Sequence, residues 1–174
     1  MQIIIPASPE HIARIQEIYA WHVMNGIATF ETVPPTVEEM KERIAKVLDA
    51  GTPWLVAEVD GVVAGYCYLA PYHLRYAYRF TLEDSIYIDP QQQGKGIGKA
   101  LLTEAIHQVE AAGFRQLVAV IGNSENLGSI ALHHALGFEL TGTLKAVGFK
   151  HGRWVDTVIM QKALGDGDTT LPEK

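Results

Sequence analysis

The chain has 174 residues, of which 48% are hydrophobic and 20% are charged, and its 14 Lys and Arg against 20 Asp and Glu give a formal net charge of −6. This length and composition predict one folded domain of the usual size, roughly 100–200 residues, and exclude a disordered chain. The acidic balance argues against a general binder of nucleic-acid phosphates, and the single cysteine, Cys67, excludes an internal disulfide or an all-cysteine zinc site.

Secondary-structure signals follow one another in the order β-α-α-β-β-β-α-β-α-β-β. Segments rich in β-formers and bounded by turn residues predict strands at about residues 3–5, 54–59, 62–69, 81–89, 117–121, 138–149 and 154–161. Apolar residues at helical spacing predict helices at about residues 9–25, 36–50, 101–112 and 129–136. The Asp60-Gly61 pair between two strands is typical of a hairpin turn. This order indicates a single α/β domain with a central mixed β-sheet flanked by about four helices.

The two ends of the sequence carry little that a fold would bury. The first residues lack the basic segment and apolar run of a signal peptide, and no window reaches the ~18 apolar residues of a membrane span. Residues 165–174 are turn-forming and polar, so we expect the domain to occupy residues 1–164 and to be followed by a flexible C-terminal tail. A reducing, cytoplasmic setting without membrane contact is expected.

A glycine-rich turn lies between a predicted strand and an amphipathic helix, with the sequence Gln91-Gln92-Gln93-Gly94-Lys95-Gly96-Ile97-Gly98-Lys99. Such a turn directs unpaired backbone N–H groups and the positive end of the helix dipole at one point, where a phosphate or pyrophosphate can bind. Glycine lets the backbone approach the anion because no Cβ intervenes. The sequence therefore predicts an anion site here, with a plain tight turn before a helix as the alternative.

Two better-known glycine loops do not fit the spacing. A nucleotide P-loop ending at Gly98-Lys99 needs Gly at position 93 and Ser or Thr at position 100, but the chain has Gln93 and Ala100. A dinucleotide fingerprint that starts at Gly94 needs Gly at position 99, where the chain has lysine. Both of these nucleotide-binding loops are thereby excluded.

The pattern that remains, Gln91-x-x-Gly94-x-Gly96, resembles the pyrophosphate-binding motif of the GNAT superfamily of acetyl-CoA-dependent N-acetyltransferases. A second motif follows in the expected order, Asn126-x-x-Ser129-x-x-x-His133-x-x-x-Gly137-Phe138, and the resemblance covers about residues 3–162. Smaller pieces resemble the branch that contains phosphinothricin and methionine sulfoximine acetyltransferases, namely Ala28-Thr29-Phe30-Glu31, Arg75-x-Ala77-Tyr78, Thr81-x-Glu83-x-Ser85-x-Tyr87, Leu132-His133 and Gly148-Phe149-Lys150-x-Gly152-Arg153-Trp154-x-Asp156.

The resemblance implies acetyl-CoA as the acetyl donor, with its pyrophosphate on the glycine-rich turn. In the superfamily's pattern, the preceding strand pairs its backbone with the pantetheine arm like an added strand and presents an N–H to the thioester carbonyl. The implied donor-binding residues are Ile86, Tyr87, Ile88, Gln93, Gly94, Lys95, Gly96, Ile97, Gly98, Lys99, Asn126, Ser129 and His133.

Two residues are candidates for proton transfer. An alkylammonium is not nucleophilic until it loses a proton, and Glu83, just before the donor-binding strand segment, is the candidate general base, directly or through a water. A solvated or ion-paired glutamate is the alternative. His133 stands where many members of the superfamily carry a tyrosine that protonates the departing thiolate, so it is expected to donate that proton or to hydrogen-bond the donor. A helix-surface histidine without a role is the third interpretation.

A further set of residues is expected to shape the acceptor site, namely Phe30, Glu31, Arg75, Tyr76, Ala77, Tyr78 and Lys150. The Arg75 guanidinium suits a substrate carboxylate because it can make a two-pronged contact. The surrounding aromatic and cationic stretch, 72–80, is also compatible with stacking on nucleic-acid bases, which the net charge disfavours. Ordinary loop packing is the alternative for Phe30 and Glu31. Lys150 is implicated by resemblance, reaching across a dimer interface, and a solvated hairpin lysine is the alternative.

These features together predict direct acetyl transfer from acetyl-CoA to the α-amino group of a small amino-acid-like substrate of the methionine sulfoximine, methionine sulfone or phosphinothricin type. Direct attack is favoured because Cys67 lies in a β-rich segment, where cysteine behaves as a small hydrophobe. Two alternatives stay open: acetylation of a protein N-terminus, lysine or polyamine, and a non-catalytic acyl-CoA sensor. No metal is expected, since His133 and His134 are adjacent and point in different directions on a helix. The branch implies a homodimer.

Overall fold

The computed structural model describes residues 1–173. Its helices are α1 (Ile12–Asn25), α2 (Val37–Asp49), α3 (Ile97–Ala111) and α4 (Leu127–Ala135). Its strands are β1 (Gln2–Pro6), β2 (Trp54–Val59), β3 (Val62–Pro71), β4 (Thr81–Ile88), β5 (Gln116–Gly122), β6 (Glu139–Lys150) and β7 (Arg153–Ala163). Short 3₁₀ turns form at Pro9–His11 and Tyr76–Tyr78. The predicted α/β order of strands and helices is confirmed.

Helix boundaries differ from the predictions where local caps act. The segment Pro9–His11 forms a 3₁₀ turn, so α1 begins only at Ile12. The helix α4 begins earlier than predicted because the Asn126 side chain accepts a hydrogen bond from the Ser129 N–H and caps it. The Thr36 hydroxyl caps α2, since it accepts from the N–H of Glu39, three positions later.

All the strands belong to one mixed sheet in the order β1-β2-β3-β4-β5-β7-β6. Neighbouring strands are antiparallel except β4 and β5, which are parallel and are connected through α3. At the turn between β2 and β3, Asp60 and Gly61 have φ angles of 51° and 83°. Both lie in the left-handed region that a two-residue hairpin turn requires, so the predicted hairpin is confirmed.

Helices cover the sheet on both faces and divide the apolar core into two clusters. One cluster packs α3 against the sheet, and the other packs α1 and α2 against the opposite face. The strand β4 contributes to both, because successive side chains of a strand point to opposite faces. Leu82 lies in the α3 cluster, whereas Tyr87 packs against the cluster of α1 and α2. Residues of β4 therefore face two different compartments.

The parallel ladder between β4 and β5 is short, and its end creates an opening in the sheet. The last pair in the ladder is Asp84 with Ala119, although β4 continues to Ile88 and β5 to Gly122. From Ser85 onward, the edge of β4 that faces β5 lacks a strand partner. Apart from the Ile88 carbonyl, which accepts a hydrogen bond from His22, the peptide N–H and C=O groups of this edge are consequently available to a ligand in the opening.

The C-terminal segment after β7, for which a flexible tail is predicted, makes contacts with the rest of the domain. The Arg115 guanidinium donates to the backbone carbonyls of Gly167, Thr170 and Leu171 at 2.7, 3.1 and 3.2 Å. The Arg115 backbone N–H also donates to the Phe80 carbonyl at 2.9 Å. This part of the tail is therefore tied to the start of β5. An arginine that binds distant backbone carbonyls has no sequence pattern, so the contact was not predictable.

Candidate active site

The glycine-rich turn leads from β4 into α3. Gly94 and Gly96 have φ angles of 78° and 76°, in the left-handed region that glycine adopts without strain. Gly96 is the N-cap of α3, whose first N–H groups have no partner within the helix. No atom lies within 4 Å of the place a Cβ would take at either glycine, so the outer side of the turn is open. This geometry fits an anion bound to backbone N–H groups.

A cavity of about 500 Å³ extends from this turn to the opening between β4 and β5. Most of the predicted donor-binding residues line it: Ile86, Tyr87, Ile88, Gln93, Gly94, Gly96, Ile97, Gly98, Lys99, Asn126, Ser129 and His133. Lys95 is the exception, because its exposed ammonium group donates to the Gln92 side chain at 2.9 Å instead of lining the cavity. The structure therefore brings together a donor site from β4, the turn and α4.

The cavity wall also contains residues that were not among the predicted site residues, namely His22, Ala28, Asp84, Ser85, Gln92, Val120, Ile121, Gly122, Gly128 and Leu132. The residues of β5 among them are exposed to the cavity because β5 diverges from β4, and this divergence has no local sequence signal. His22 reaches the wall from α1, where its Nε2–H donates to the Ile88 carbonyl at 2.8 Å. Burial lowers the pKa of His22, so the ring is a neutral donor.

The chemistry of the cavity fits acetyl-CoA along its whole length. The N–H groups at the start of α3 suit the pyrophosphate, and the unpaired edge of β4 suits the amide-containing pantetheine arm. The side chains of Ile86 and Ile88 pack against the α3 cluster and leave the peptide groups of the strand to the ligand. Acetyl-CoA, when bound, supplies an activated acetyl thioester at the opening between the strands.

The side chains of Glu83 and Asp84, two consecutive residues of β4, point to opposite faces of the sheet. Glu83 lies opposite Ala70 of β3, on the face covered by α1 and α2, and Asp84 lies opposite Leu69, in the α3 cluster. Burial, followed by the nearby charge of Asp84, raises the pKa of the half-buried Glu83. A carboxylate with a raised pKa at the opening is suited to accept a proton from an ammonium group.

His133 is buried, so its interpretation as a surface residue is wrong. Only 2% of the residue is exposed, and its ring packs edge-on against Phe138 at a centroid distance of 4.8 Å. Its Nδ1 donates to the Ser129 carbonyl at 2.7 Å, and its Nε2 contacts the Asp84 carboxylate at 2.9 and 3.1 Å. Burial opposes the charged ring, but the hydrogen bond and charge of Asp84 outweigh it and raise the pKa of His133. Both ring nitrogens are thus directed at protein oxygens.

The predicted acceptor-side loop is fixed by contacts of its own. Both Glu31 oxygens accept from Arg43, at 2.6 and 3.0 Å, and one of them also accepts from the Tyr19 hydroxyl. The hydrogen bond from Arg43 outweighs the effect of burial and lowers the pKa of Glu31. The Phe30 ring covers Gly148, where a Cβ would overlap it, and leaves 41% of the residue exposed. Loop packing therefore accounts for the observed contacts of both predicted residues.

Lys150 is buried, so its interpretation as a solvated hairpin lysine is wrong. Only 4% of the residue is exposed, and its Nζ donates to the Thr29 carbonyl of the same chain at 2.8 Å. Burial lowers the pKa of Lys150, and the charge of Glu31 acts in the opposite direction. The lysine therefore joins β6 to the loop that carries Phe30.

The remaining predicted acceptor residues lie in a separate, exposed segment. Arg75 precedes the 3₁₀ turn Tyr76–Tyr78, between β3 and β4, and the segment does not line the donor cavity. Arg75, Ala77 and Tyr78 are exposed, and Tyr76 is 78% exposed. Among the described residues, no hydrogen bond or ion pair engages the Arg75 side chain. Its guanidinium group is therefore available to an incoming anion.

Other routes of chemistry find little support in the structure. Cys67 is fully buried, and burial raises the pKa of its thiol well above the usual value, so it is not an activated nucleophile. Within residues 1–173, no three side chains among His, Cys, Asp and Glu are grouped as metal ligands. None of the helices in that range has both the length and the apolar character needed to span a bilayer.

Known proteins share this architecture. Residues 6–159 match the family described as Acetyltransferase (GNAT) domain. The chain is 55% identical over 164 residues to phosphinothricin N-acetyltransferase from Alcaligenes faecalis. This alignment covers 94% of this chain and 83% of that protein. It is 42% identical over 155 residues to L-methionine sulfoximine/L-methionine sulfone acetyltransferase from Salmonella typhimurium strain LT2, covering 88% of this chain and 90% of that protein.

A solved structure agrees with these sequence relatives. The crystal structure of a GNAT superfamily phosphinothricin acetyltransferase from Sinorhizobium meliloti, in complex with acetyl-CoA, superimposes with a TM-score of 0.97 at 48% sequence identity. The match covers 99% of this chain and 94% of that one. The fold described above is therefore that of a protein crystallised with acetyl-CoA.

Proposed function

The chain belongs to the GNAT family of acetyl-CoA-dependent N-acetyltransferases, and on that premise we propose that it acetylates the α-amino group of a small amino-acid-like substrate. Phosphinothricin and methionine sulfoximine or sulfone, the acceptors named for its relatives, define the substrate class. One observation supports the proposal most directly. Glu83 lies on β4 one residue before the end of the parallel ladder, and the donor cavity is lined by the unpaired part of the same strand that follows.

The proposed reaction is a direct transfer in a ternary complex. The N–H groups of the turn from Gly94 to Lys99 bind the pyrophosphate of acetyl-CoA, and the free edge of β4 binds the pantetheine arm. A backbone N–H of the segment Ile86–Ile88 polarises the thioester carbonyl. Glu83 accepts the proton of the acceptor ammonium group, directly or through a water, so that the neutral amine attacks.

Recognition of an amino acid requires a cation for its carboxylate. Arg75 is exposed and has no protein partner among the described residues, and a guanidinium binds a carboxylate through two parallel hydrogen bonds. Tyr76, Ala77 and Tyr78 follow it in a 3₁₀ turn, and Phe30 and Lys150 complete the acceptor side in this proposal.

The acceptor proposal is tested by removing the carboxylate and its partner separately. Phosphinothricin and its decarboxylated amine are compared as acceptors for the wild type and for Arg75→Ala. We expect the substitution to reduce kcat/KM for phosphinothricin by about 10- to 100-fold, the size of a lost charge-assisted contact. With the decarboxylated amine, wild type and variant should be equally slow. Equal rates for the two acceptors in the wild type would contradict recognition of the carboxylate and favour a polyamine or peptide acceptor.

A homodimer is part of the proposal, supported by exposed apolar side chains near the edge of the sheet. These are Leu140, Leu144, Val147, Phe149 and Trp154 on β6 and β7. Exposed apolar side chains concentrated on two neighbouring strands favour an association site, and the rings of Phe149 and Trp154 contact each other with centroids 5.1 Å apart. Sedimentation should give a dimer for the wild type and a monomer for Trp154→Asp, whereas Leu171→Asp, an exposed change in the tail, should leave the dimer intact. A monomeric wild type would contradict this part of the proposal.

A cytoplasmic location completes the proposal. The chain has one cysteine, which is buried and free, so its stability does not depend on an oxidising compartment. Acetyl-CoA is a cytoplasmic metabolite, and fractionation of cells that express the natural gene should recover the protein with the soluble cytoplasmic fraction. Recovery with a membrane or secreted fraction would contradict the assignment.

A further inference from the structure

The hydrogen bonds of His133 require a hydrogen on each of its two ring nitrogens, whereas a neutral histidine carries only one. A carbonyl only accepts hydrogen bonds, so the His133 Nδ1 that contacts the Ser129 carbonyl at 2.7 Å carries a hydrogen. An ionised carboxylate also only accepts, so the Nε2 that contacts Asp84 at 2.9 Å carries a second hydrogen. The ring is therefore an imidazolium paired with a carboxylate, with the shared proton held between them.

The position of this ion pair relates it to the opening in the sheet. Asp84 is the last residue of β4 that pairs with β5, and His133 lies on α4, which also carries Ser129 in the cavity wall. The ion pair thus connects α4 to β4 at the point where the strands separate. Both partners are more than nine-tenths buried, and the Phe138 ring supports His133 from another side.

We propose that the protonated ion pair of Asp84 and His133, called the clamp below, holds α4 against β4 and keeps the donor cavity open. Asp84 is the positioning residue of this pair. This inference rests on the proposed acetyl transfer and deepens it, because the clamp shapes the donor cavity for acetyl-CoA and does not supply a proton to the thiolate. Neither N–H of the ring is directed into the cavity, since each points at a protein oxygen.

Charged groups around the clamp determine its response to pH. On β4, Glu83 lies on the opposite face. On β3, the charge of Asp84 acts on the buried Cys67, and burial together with this charge raises the pKa of the Cys67 thiol. On α4, His134 is exposed and lies on another side of the helix. The pKa of His133 is raised, so the clamp is complete below the usual histidine pKa and is lost as the pH rises through the raised value. Above it, an unprotonated Nε2 would face a carboxylate.

Replacing Asp84 in two ways separates the charge of the clamp from its shape. In Asp84→Asn, the amide NH₂ can donate to the unprotonated Nε2 of a neutral ring, so the contact survives without the extra proton. In Asp84→Ala, the contact is lost. His134→Asn on the same helix serves as the matched control, because that residue is exposed and makes no contact with the clamp.

The test measures the ring directly and does not depend on any acceptor. In ¹⁵N-histidine NMR spectra of the intact chain at the ordinary histidine pKa of about 6.5, where an unperturbed ring is half protonated, both ring nitrogens of His133 should be protonated. Calorimetry with acetyl-CoA should show about a 10-fold weaker Kd for Asp84→Ala and a change under about 3-fold for Asp84→Asn and His134→Asn. Binding should weaken at alkaline pH in the wild type and not in Asp84→Asn.

Two results would overturn the clamp. One is a wild-type spectrum in which one ring nitrogen of His133 is unprotonated under those conditions. The other is unchanged acetyl-CoA binding by Asp84→Ala together with a turnover loss of more than about 100-fold, which would make the pair part of the proton-transfer chemistry. If Asp84→Ala does not fold, the spectrum of the wild type and the pH dependence of Asp84→Asn still decide. A chain that binds acetyl-CoA as expected but acetylates no amine contradicts the proposed function and leaves the clamp intact.

Discussion

Glu83 and Asp84 are neighbours in sequence, yet their carboxyl groups serve opposite faces of β4. Glu83 lies on the side of α1 and α2, where the acceptor is proposed to bind, and Asp84 binds His133 on the side of α3 and α4. The alternation of side chains along a strand produces this division without any special backbone geometry. The strand β4 thereby places the candidate base Glu83 on one face of the sheet and Asp84, which pairs with His133, on the other.

The Glu83 carboxylate is the group on which the proposed chemistry depends. For Glu83→Gln, which keeps the shape but cannot accept a proton, we expect kcat to fall by about 10²- to 10⁴-fold. The KM for acetyl-CoA should change little, because Glu83 does not line the donor cavity. Steady-state kinetics with Glu139→Gln, an exposed strand glutamate, provide the control. Turnover that survives in Glu83→Gln at every pH would remove this residue from the mechanism.

The pH profile should report the raised pKa of Glu83. A base acts only when ionised, so kcat/KM should decline as the pH falls through a value above the usual glutamate pKa. The charge of Asp84 is the second cause of the shift, after burial. In Asp84→Asn the acidic limb should stay above the value of a solvated carboxyl group, because burial is the larger cause and the variant loses the positive charge of His133 together with the negative charge of Asp84. An acidic limb at the ordinary glutamate pKa in this variant would show that burial is not the main cause of the shift.

The left-handed backbone at Gly96 is expected to be needed for donor binding. An alanine there meets no neighbouring atom but is strained by φ of 76°. We expect Gly96→Ala to raise the KM for acetyl-CoA by about 10-fold, corresponding to 1–2 kcal/mol of backbone strain. Gly142→Ala, where a Cβ also has open space and φ is not positive, should behave as the wild type. If both variants bind acetyl-CoA equally well, the conformation of the turn is not what holds the pyrophosphate.

The buried ammonium group of Lys150 should act on the acceptor and not on the donor. Lys150→Met leaves the Thr29 carbonyl without its partner, which costs about 1–3 kcal/mol and loosens the loop beside Phe30. We expect the KM for the amino-acid acceptor to rise by about 5- to 20-fold, with that for acetyl-CoA unchanged. Lys145→Met is matched to it, since Lys145 lies on the same strand but is 77% exposed. Equal kinetics for the two variants would assign Lys150 no role at the acceptor site.

The contacts of Arg115 with the tail predict a stability effect away from the site. Arg115→Ala removes three hydrogen bonds to backbone carbonyls, so we expect the free energy of unfolding to fall by about 1–3 kcal/mol. For a chain of this size the Tm falls by about 2–4 °C per kcal/mol. Calorimetry should give the same decrease for a chain that ends at Leu164. An unchanged Tm in both would show that these contacts do not stabilise the domain and would favour the predicted flexible tail.

Local patterns predicted most of the fold because each depends on neighbouring residues. The Asp60-Gly61 turn, the Thr36 cap and the glycine-rich turn before α3 were all recognisable within a few positions of sequence. The ion pair of Asp84 and His133 was not, because 49 positions separate the residues and only the packing of α4 on β4 brings them together. The burial of Lys150 has the same cause, since its partner Thr29 lies 121 positions away.

The opening between β4 and β5 also escaped prediction. Both segments are β-rich to their ends, so the sequence contains no mark of the pair at which they separate. Asp84 and the residues of β5 were consequently missing from the predicted site, whereas the residues of the turn were not. The motif predicts an anion site at the turn, and only the structure shows that one cavity connects the turn to the opening between β4 and β5.

Thiol release from acetyl-CoA tests the central claim most directly. The acceptor panel contains phosphinothricin, methionine sulfoximine, a polyamine, a peptide with a free N-terminus and a control without amine. We expect release with the two amino acids, little with the other amines and none without an amine, and we expect Glu83→Gln to abolish it. Release that depends only on the polyamine or peptide, or no release with any amine by a chain that binds acetyl-CoA, would contradict the proposed function.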